Sequence, residues 1–235
     1  MNQPTMVLLP GNMCDARLWS GFSGMSDVPA VHADLTRDGS ITGMAARTLA
    51  ANRGDMVLAG FSMGGIVALE MARQAPERIR GLILADTNAG ADLPERAAAR
   101  PAQQERVRNG ELATIIADEL KPVYLAAQNR NNHAMKELLF DMAMGLGDEV
   151  FIRQSEALRT RADLGPVLNS FAGPVLLLCG GEDALCPPAW HQAMAARCKD
   201  GEVHVVAGAG HLLPLEQPQQ FRTIVSDWLT RHFGD

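Results

Sequence analysis

The chain has 235 residues, enough for one domain or one domain with an insertion, and its 47% apolar and 20% charged residues exclude a mainly disordered protein. It carries 21 Lys and Arg against 27 Asp and Glu, a formal charge of -6 without a basic run, which argues against nucleic acid or an anionic membrane as partner. No apolar run reaches the roughly 20 residues needed to span a bilayer, Met1 to Pro4 lack the positive start of a signal peptide, and Cys14, Cys179, Cys186 and Cys198 show no CxxC spacing, so a cytoplasmic protein without a zinc or redox motif is expected.

Met6 to Leu9 form a short apolar run that ends at Pro10-Gly11 and is expected to be a buried strand. Asp15 to Phe22 is expected to be a short helix capped by Asp15, Val31 to Leu35 a weak strand, and Ile41 to Asn52 a helix capped by Ser40. Asp55 to Ala59 is a second buried strand, ending at Gly60-Phe61-Ser62. Met63 to Ala75 follows as a helix that is apolar nearly all round and is closed by Pro76. Ile79 to Ala85 is a third apolar strand. Later come a strand at Pro174 to Cys179, a helix at Pro188 to Cys198, a strand at Glu202 to Val206 and an amphipathic helix at Pro218 to Phe233. Strands that are apolar throughout and alternate with helices predict an α/β fold: a mostly parallel, doubly wound sheet covered on both faces. Between about Ala89 and Asn169 no strand pattern occurs, and amphipathic stretches such as Leu112 to Leu120 and His133 to Met144 predict a helical insertion.

Chemistry concentrates at Gly60-Phe61-Ser62-Met63-Gly64, a G-x-S-x-G sequence between a predicted strand and a predicted helix. A sharp turn there lifts the serine out of the sheet edge, glycines on either side avoid Cβ clashes, and the helix N-terminus offers free N–H groups to a developing oxyanion. Gly21-Phe22-Ser23 repeats the first letters but has Met25 in place of the second glycine and no strand before it.

A serine needs a base, and the base an orienting acid. Of the histidines, His211 follows the strand at Glu202 to Val206 and so lies at a strand's carboxyl end, where open α/β sheets place their sites. His32 and His204 fall in or near strands, and His133, His191 and His232 are expected on helix surfaces. Asp183, past the turn Gly180-Gly181-Glu182, is the preferred acid, and Asp86 at the end of the third strand is the alternative. The loop Pro10-Gly11-Asn12-Met13 is positioned to supply one oxyanion donor through the Asn12 amide, with the Met63 amide as the other.

Taken together, these residues resemble the α/β-hydrolase superfamily over nearly the whole chain, from Val7 to Trp228, most specifically at Gly60 to Gly65. Pro10-Gly11 replaces the His-Gly that many members carry at the oxyanion loop. Length and insertion are most similar to the esterase branch that contains pimeloyl-carrier-protein methyl esterase. The resemblance implies a core of residues 1–88 and 170–235 with residues 89–169 as a lid. It implies hydrolysis of a small-molecule carboxylic ester, free or carrier-linked, by Ser62, His211 and Asp183, with no metal and no organic cofactor. Thioester hydrolysis, C–C bond cleavage on the same fold, and a non-catalytic binding role are the competing readings. The arginines of the insertion, Arg96, Arg100, Arg106, Arg108, Arg130, Arg153, Arg159 and Arg161, are either a recognition surface for an acidic group or a solvated helix face. Leu138, Leu139, Phe140 and Met142 to Met144 are either an acyl pocket or simple packing.

Overall fold

Strands that are apolar on both faces must be covered on both, and the chain folds accordingly. The structure, a computed structural model, describes residues 3–22, 29–120 and 123–234. The six strands β1 (Thr5–Leu9), β2 (Ala30–His32), β3 (Met56–Phe61), β4 (Ile79–Ala85), β5 (Val175–Gly180) and β6 (Gly201–Val206) form one sheet in the order β2-β1-β3-β4-β5-β6. Every pairing is parallel. Val7, Leu9, Leu58, Leu82, Leu84 and Leu177 face one apolar layer, in which the helices α1 (Ile41–Ala51) and α2 (Met63–Gln74) pack. Met6, Leu8, Val57, Ala59, Ile83 and Leu176 face the other.

Most predicted elements appear within a residue or two of their expected ends; two are shorter and one is a 3-10 helix. β2 stops at His32 because the Asp34 side chain accepts the Thr36 amide at 3.0 Å and turns the chain out of the sheet. The segment after Asp15 is a 3-10 helix (Ala16–Phe22), with the Asp15 carboxylate accepting the Arg17 amide. The helix begun at Pro188 ends at Ala195, where the chain tightens into bonds from Arg197 N to Met194 O and from Cys198 N to Ala195 O. Ser23 lies outside the described residues.

Between β4 and β5 the described residues form helices and no strand: α3 (Pro94–Arg108), α4 (Leu112–Thr114, continuing in π-helical turns over Ile115–Leu120), α5 (His133–Leu146), α6 (Asp148–Arg159) and α7 (Gly165–Ser170). Val107, Leu112, Ile115, Ile116, Ala143, Val150 and Phe151 give this segment an apolar cluster of its own. Its last part does not stay apart, since Leu164, Val167 and Leu168 pack into the layer that holds α2. After β5 come α8 (Pro188–Ala195), α9 (Leu213–Glu216) and α10 (Pro218–Phe233). Leu139 and Met142 of α5 join Trp19, Phe221 and Trp228 in the second layer and are fully buried, so these two serve packing, while Met144 is exposed. No helix among the described residues is long and apolar enough to cross a membrane.

Candidate active site

The carboxyl ends of β3 and β5 and the loop after β6 converge on one point, where a parallel sheet leaves a crevice. Ser62 ends β3 and opens α2 with φ 51 and ψ -116, a left-handed conformation that costs a non-glycine residue about 1–3 kcal/mol. Its amide donates to Ala85 O at 2.9 Å, and its carbonyl accepts the Thr87 hydroxyl at 2.6 Å and the Gly65 amide at 3.0 Å, which hold the turn. The flanking glycines act by size. A Cβ on Gly60 would lie 2.5 Å from Gly64 O, and one on Gly64 only 2.0 Å from Leu9 O.

The three residues singled out along the sequence meet here. His211 Nε2 lies 3.0 Å from Ser62 Oγ, and His211 Nδ1 lies 2.9 Å from Asp183 Oδ2. The other Asp183 oxygen accepts the amides of Leu185 (2.8 Å) and Cys186 (2.9 Å). Burial works to raise the Asp183 carboxyl, but the His211 ring and these two amides outweigh it, so it stays ionised below the usual carboxylate range. The imidazole is caged by Phe61 and Tyr124, whose ring centroids stand 5.3 and 5.2 Å from it. A serine, an imidazole and a carboxylate bonded in this order can move a proton from Oγ to Nε2 while the carboxylate steadies the resulting cation.

Asp86, the alternative acid, makes no bond to His211. It is fully buried and accepts the amides of Gly180 (2.9 Å) and Leu213 (3.3 Å), tying the end of β5 to the turn after His211. Burial, followed by the neighbouring Asp183 charge, pushes its acid well above the usual range.

His191 is not on a helix surface as expected. It is wholly buried in α8, and its Nε2 accepts the Thr87 amide at 3.1 Å beside the site. Burial pulls the imidazole down to about 4, against weaker pulls the other way from Pro187 O and Asp183. The fold therefore keeps it neutral where the unfolded chain takes up a proton, so its contribution is intact above pH 6.5 and is lost as pH falls toward 4, on the order of 3 kcal/mol. Urea unfolding of wild type and His191→Asn at pH 7.5 and 5 checks this. The variant is expected to be weaker at pH 7.5 but less sensitive to acid; an equal acid sensitivity would count against it.

Asn12 and Met63 line the same cavity as Ser62 and His211. Met63 is the first residue of α2, so its N–H has no acceptor within the helix. Gly11 has no left-handed backbone; it leaves room for Phe61, whose ring a Cβ would meet at 2.6 Å. The left-handed residue of this loop is Met13, at φ 51.

Two residues that the sequence reading did not single out hold the site together. Gln154 of α6 is buried; its carbonyl oxygen accepts the Met13 amide at 2.8 Å and the Asn12 side chain at 3.1 Å, while its Nε2 donates to Leu35 O at 3.1 Å. The Met13 side chain inserts into the apolar cluster of the insertion. Glu216 of α9 accepts the amides of Gly210 (2.7 Å) and Leu212 (3.3 Å) on either side of His211, and with its second oxygen the Ala126 amide (2.7 Å) and the Asn129 side chain (2.9 Å). The sequence carries a trace of the first: Gln154 and Ser155 interrupt the apolar stripe of Phe151 and Leu158 on α6.

The cavity above Ser62 has a volume of about 490 Å³. Its apolar wall includes Ile66, Phe151, Leu158 and Val123. Of the arginines of the insertion, Arg96, Arg100, Arg106 and Arg161 line it. Arg108 and Arg159 pair with Glu105 and Glu156 on their own helices, and Arg153 holds Thr36 O.

Residues 6–224 match the alpha/beta hydrolase family. The chain belongs to that family. It is 30% identical over 177 residues to a pimeloyl-[acyl-carrier protein] methyl ester esterase of Neisseria meningitidis, a match covering 72% of this chain and 55% of that protein. It is 27% identical over 244 residues to the biotin biosynthesis bifunctional protein BioHC of Cellvibrio japonicus, covering 97% of this chain and 48% of that protein. The chain spans about half the length of these two relatives. Among solved structures it is similar to a thermophilic esterase from Thermogutta terrifontis with malate bound, at a TM-score of 0.86 and 28% identity, covering 99% of this chain and 91% of that one. In this chain six parallel strands are flanked by helices, and G-x-S-x-G sits at the turn from β3 to α2.

Proposed function

We propose that this alpha/beta hydrolase cleaves carboxylic esters of small or medium acyl substrates through an acyl-enzyme on Ser62. The observation that carries the reading is the bonded series Ser62 Oγ, His211, Asp183 at the floor of a cavity large enough for a small ester. Ser62 Oγ attacks the acyl carbon as its proton passes to His211 Nε2. The same proton then goes to the departing alkoxide, and water, deprotonated by His211, releases the acid. The Asn12 and Met63 amides receive the oxyanion. The methyl ester esterase named among the relatives supports an ester substrate, free or carrier-linked.

A fluorophosphonate probe tests the nucleophile. Labelling is expected on the peptide that contains Ser62, and neither a Ser62→Ala nor a His211→Ala variant should label at the wild-type rate. Undiminished labelling of the Ser62→Ala protein would falsify the assignment.

Gln154 positions the oxyanion loop in this reading. A Gln154→Leu variant leaves the Met13 amide without its acceptor and frees the Asn12 side chain. It is expected to lower kcat by about 10- to 100-fold, as for a weakened oxyanion donor, with KM moving less than about threefold. Steady-state kinetics on a p-nitrophenyl ester reads the split, and a rise in KM at constant kcat would assign Gln154 to substrate binding instead.

A further inference from the structure

The charges on the cavity wall are unbalanced. Asp92, whose side chain is 2% exposed, is bonded by both Arg100 Nε (2.6 Å) and Arg161 Nη1 (2.8 Å). Arg161 is largely consumed by structure, since three more of its five N–H groups go to the carbonyls of Gly90, Ala91 and Leu158. Arg100 spends Nε on Asp92 and keeps further donors. Arg96 stands one helical turn before Arg100 on α3, the spacing at which like charges repel. Among the described residues its side chain makes one long bond, 3.5 Å from Nη2 to Leu185 O, and no carboxylate pairs with it. Arg106, also on the wall, is already matched by Glu111 and Glu119. Two guanidinium groups thus share one carboxylate and a third has none, in a partly closed cavity that also contains Ser62. Excess cations removed from bulk water are costly unless an anion joins them.

We propose that Arg96 and Arg100, braced by Asp92 and Arg161, form a subsite for an anionic oxygen group, a carboxylate or a phosphate, carried by the substrate whose ester lies at Ser62. The planar forks of two arginines suit such a group, each offering paired N–H donors. The inference rests on the ester-hydrolase reading for the substrate's second end but not for the anion site itself. It makes the substrate bifunctional: an ester at one end and a negative charge at the other, with an apolar spacer along Ile66, Phe151 and Leu158.

The test compares two p-nitrophenyl esters of similar length, neutral butyrate and anionic hemisuccinate, with wild type and Arg96→Gln. It also measures the melting temperature of both proteins with sodium succinate or inorganic phosphate at fixed ionic strength. Wild type is expected to prefer the hemisuccinate in kcat/KM by at least about tenfold, the order of one charge-assisted contact. Arg96→Gln should bring the ratio near one, chiefly through KM, and Arg96→Lys should fall between. Succinate or phosphate should raise the melting temperature of wild type more than that of Arg96→Gln, and the stronger of the two identifies the group. The proposal is overturned if wild type treats both esters alike and neither anion stabilises it, or if Arg96→Gln leaves both the ratio and the stabilisation unchanged. If neither ester is cleaved but an anion still stabilises the protein through Arg96, the ester reading fails and the anion subsite stands.

Discussion

Ser62→Ala is expected to lower kcat on a p-nitrophenyl ester by about 10⁴- to 10⁶-fold, and His211→Ala by a similar factor. The loss is large because the proposed nucleophile has no substitute. Asp183 is bonded to the far side of the ring and Asp86 to backbone amides, and neither accepts a bond from Ser62. Removing both side chains should cost little more than removing one, since oxygen and imidazole act as a unit: without the base the hydroxyl is a poor nucleophile, and without the hydroxyl the base has nothing to activate. Activity that survives the double variant would come from the proposed oxyanion amides and binding alone. Ser62→Ala removes no core packing, so a melting temperature close to wild type should accompany its loss, whereas His211→Ala also empties the space between Phe61 and Tyr124 and leaves the buried Asp183 without its ring partner, so its melting temperature should fall. A Ser62→Ala protein within tenfold of wild type would overturn the mechanism.

The second large effect is on folding. Gly64→Ala is expected to destabilise the protein by more than about 4 kcal/mol, at the far end of single-substitution effects. The added Cβ would lie 2.0 Å from Leu9 O, 2.5 Å from Leu9 C and 2.7 Å from Pro10 O. All three are backbone atoms at the end of β1, so no side chain can swing aside. Relief requires separating α2 from β1, where Leu9 pairs with Gly60 and leads into the Asn12 loop. Any protein that still folds should therefore also lose turnover. Gly39→Ala is the control: a Cβ there meets nothing within 4 Å, and a change within about 0.5 kcal/mol is expected. Urea titration of the two variants decides the point, and similar midpoints would refute the steric account.

What was legible in the sequence was local. Apolar runs alternating with helices foretold a parallel sheet because strands and helices advertise their burial residue by residue. G-x-S-x-G located the turn because its glycines answer clashes between near neighbours, Gly60 against Gly64. Loops just past strand ends pointed to Asp183 and His211, since strand ends are visible in the pattern. His191 was misread for a long-range reason: an imidazole on a helix says nothing of the Thr87 amide it will meet, 104 residues away. Gln154 meets its loop across 141 residues, and Glu216 bonds a segment 90 residues before it. Such partners have no local signature beyond a polar residue set in an apolar stripe.

The bond from Gln154 to the Met13 amide crosses from the insertion to the core, and Met13 plugs into the apolar cluster of the insertion. That bears on how such enzymes diversify. Insertions between β4 and β5 look like interchangeable parts, free to be exchanged whenever a new substrate must be held. Here the segment between β4 and β5 bonds the loop that lines the cavity of Ser62. A foreign insertion grafted between Ala89 and Asn169 would bring a new pocket and leave the Asn12–Met13 loop unsupported, unless it also offered an acceptor where Gln154 Oε1 now sits. New specificity in this lineage should then arise by point changes along the wall of the cavity more readily than by exchange of the whole segment.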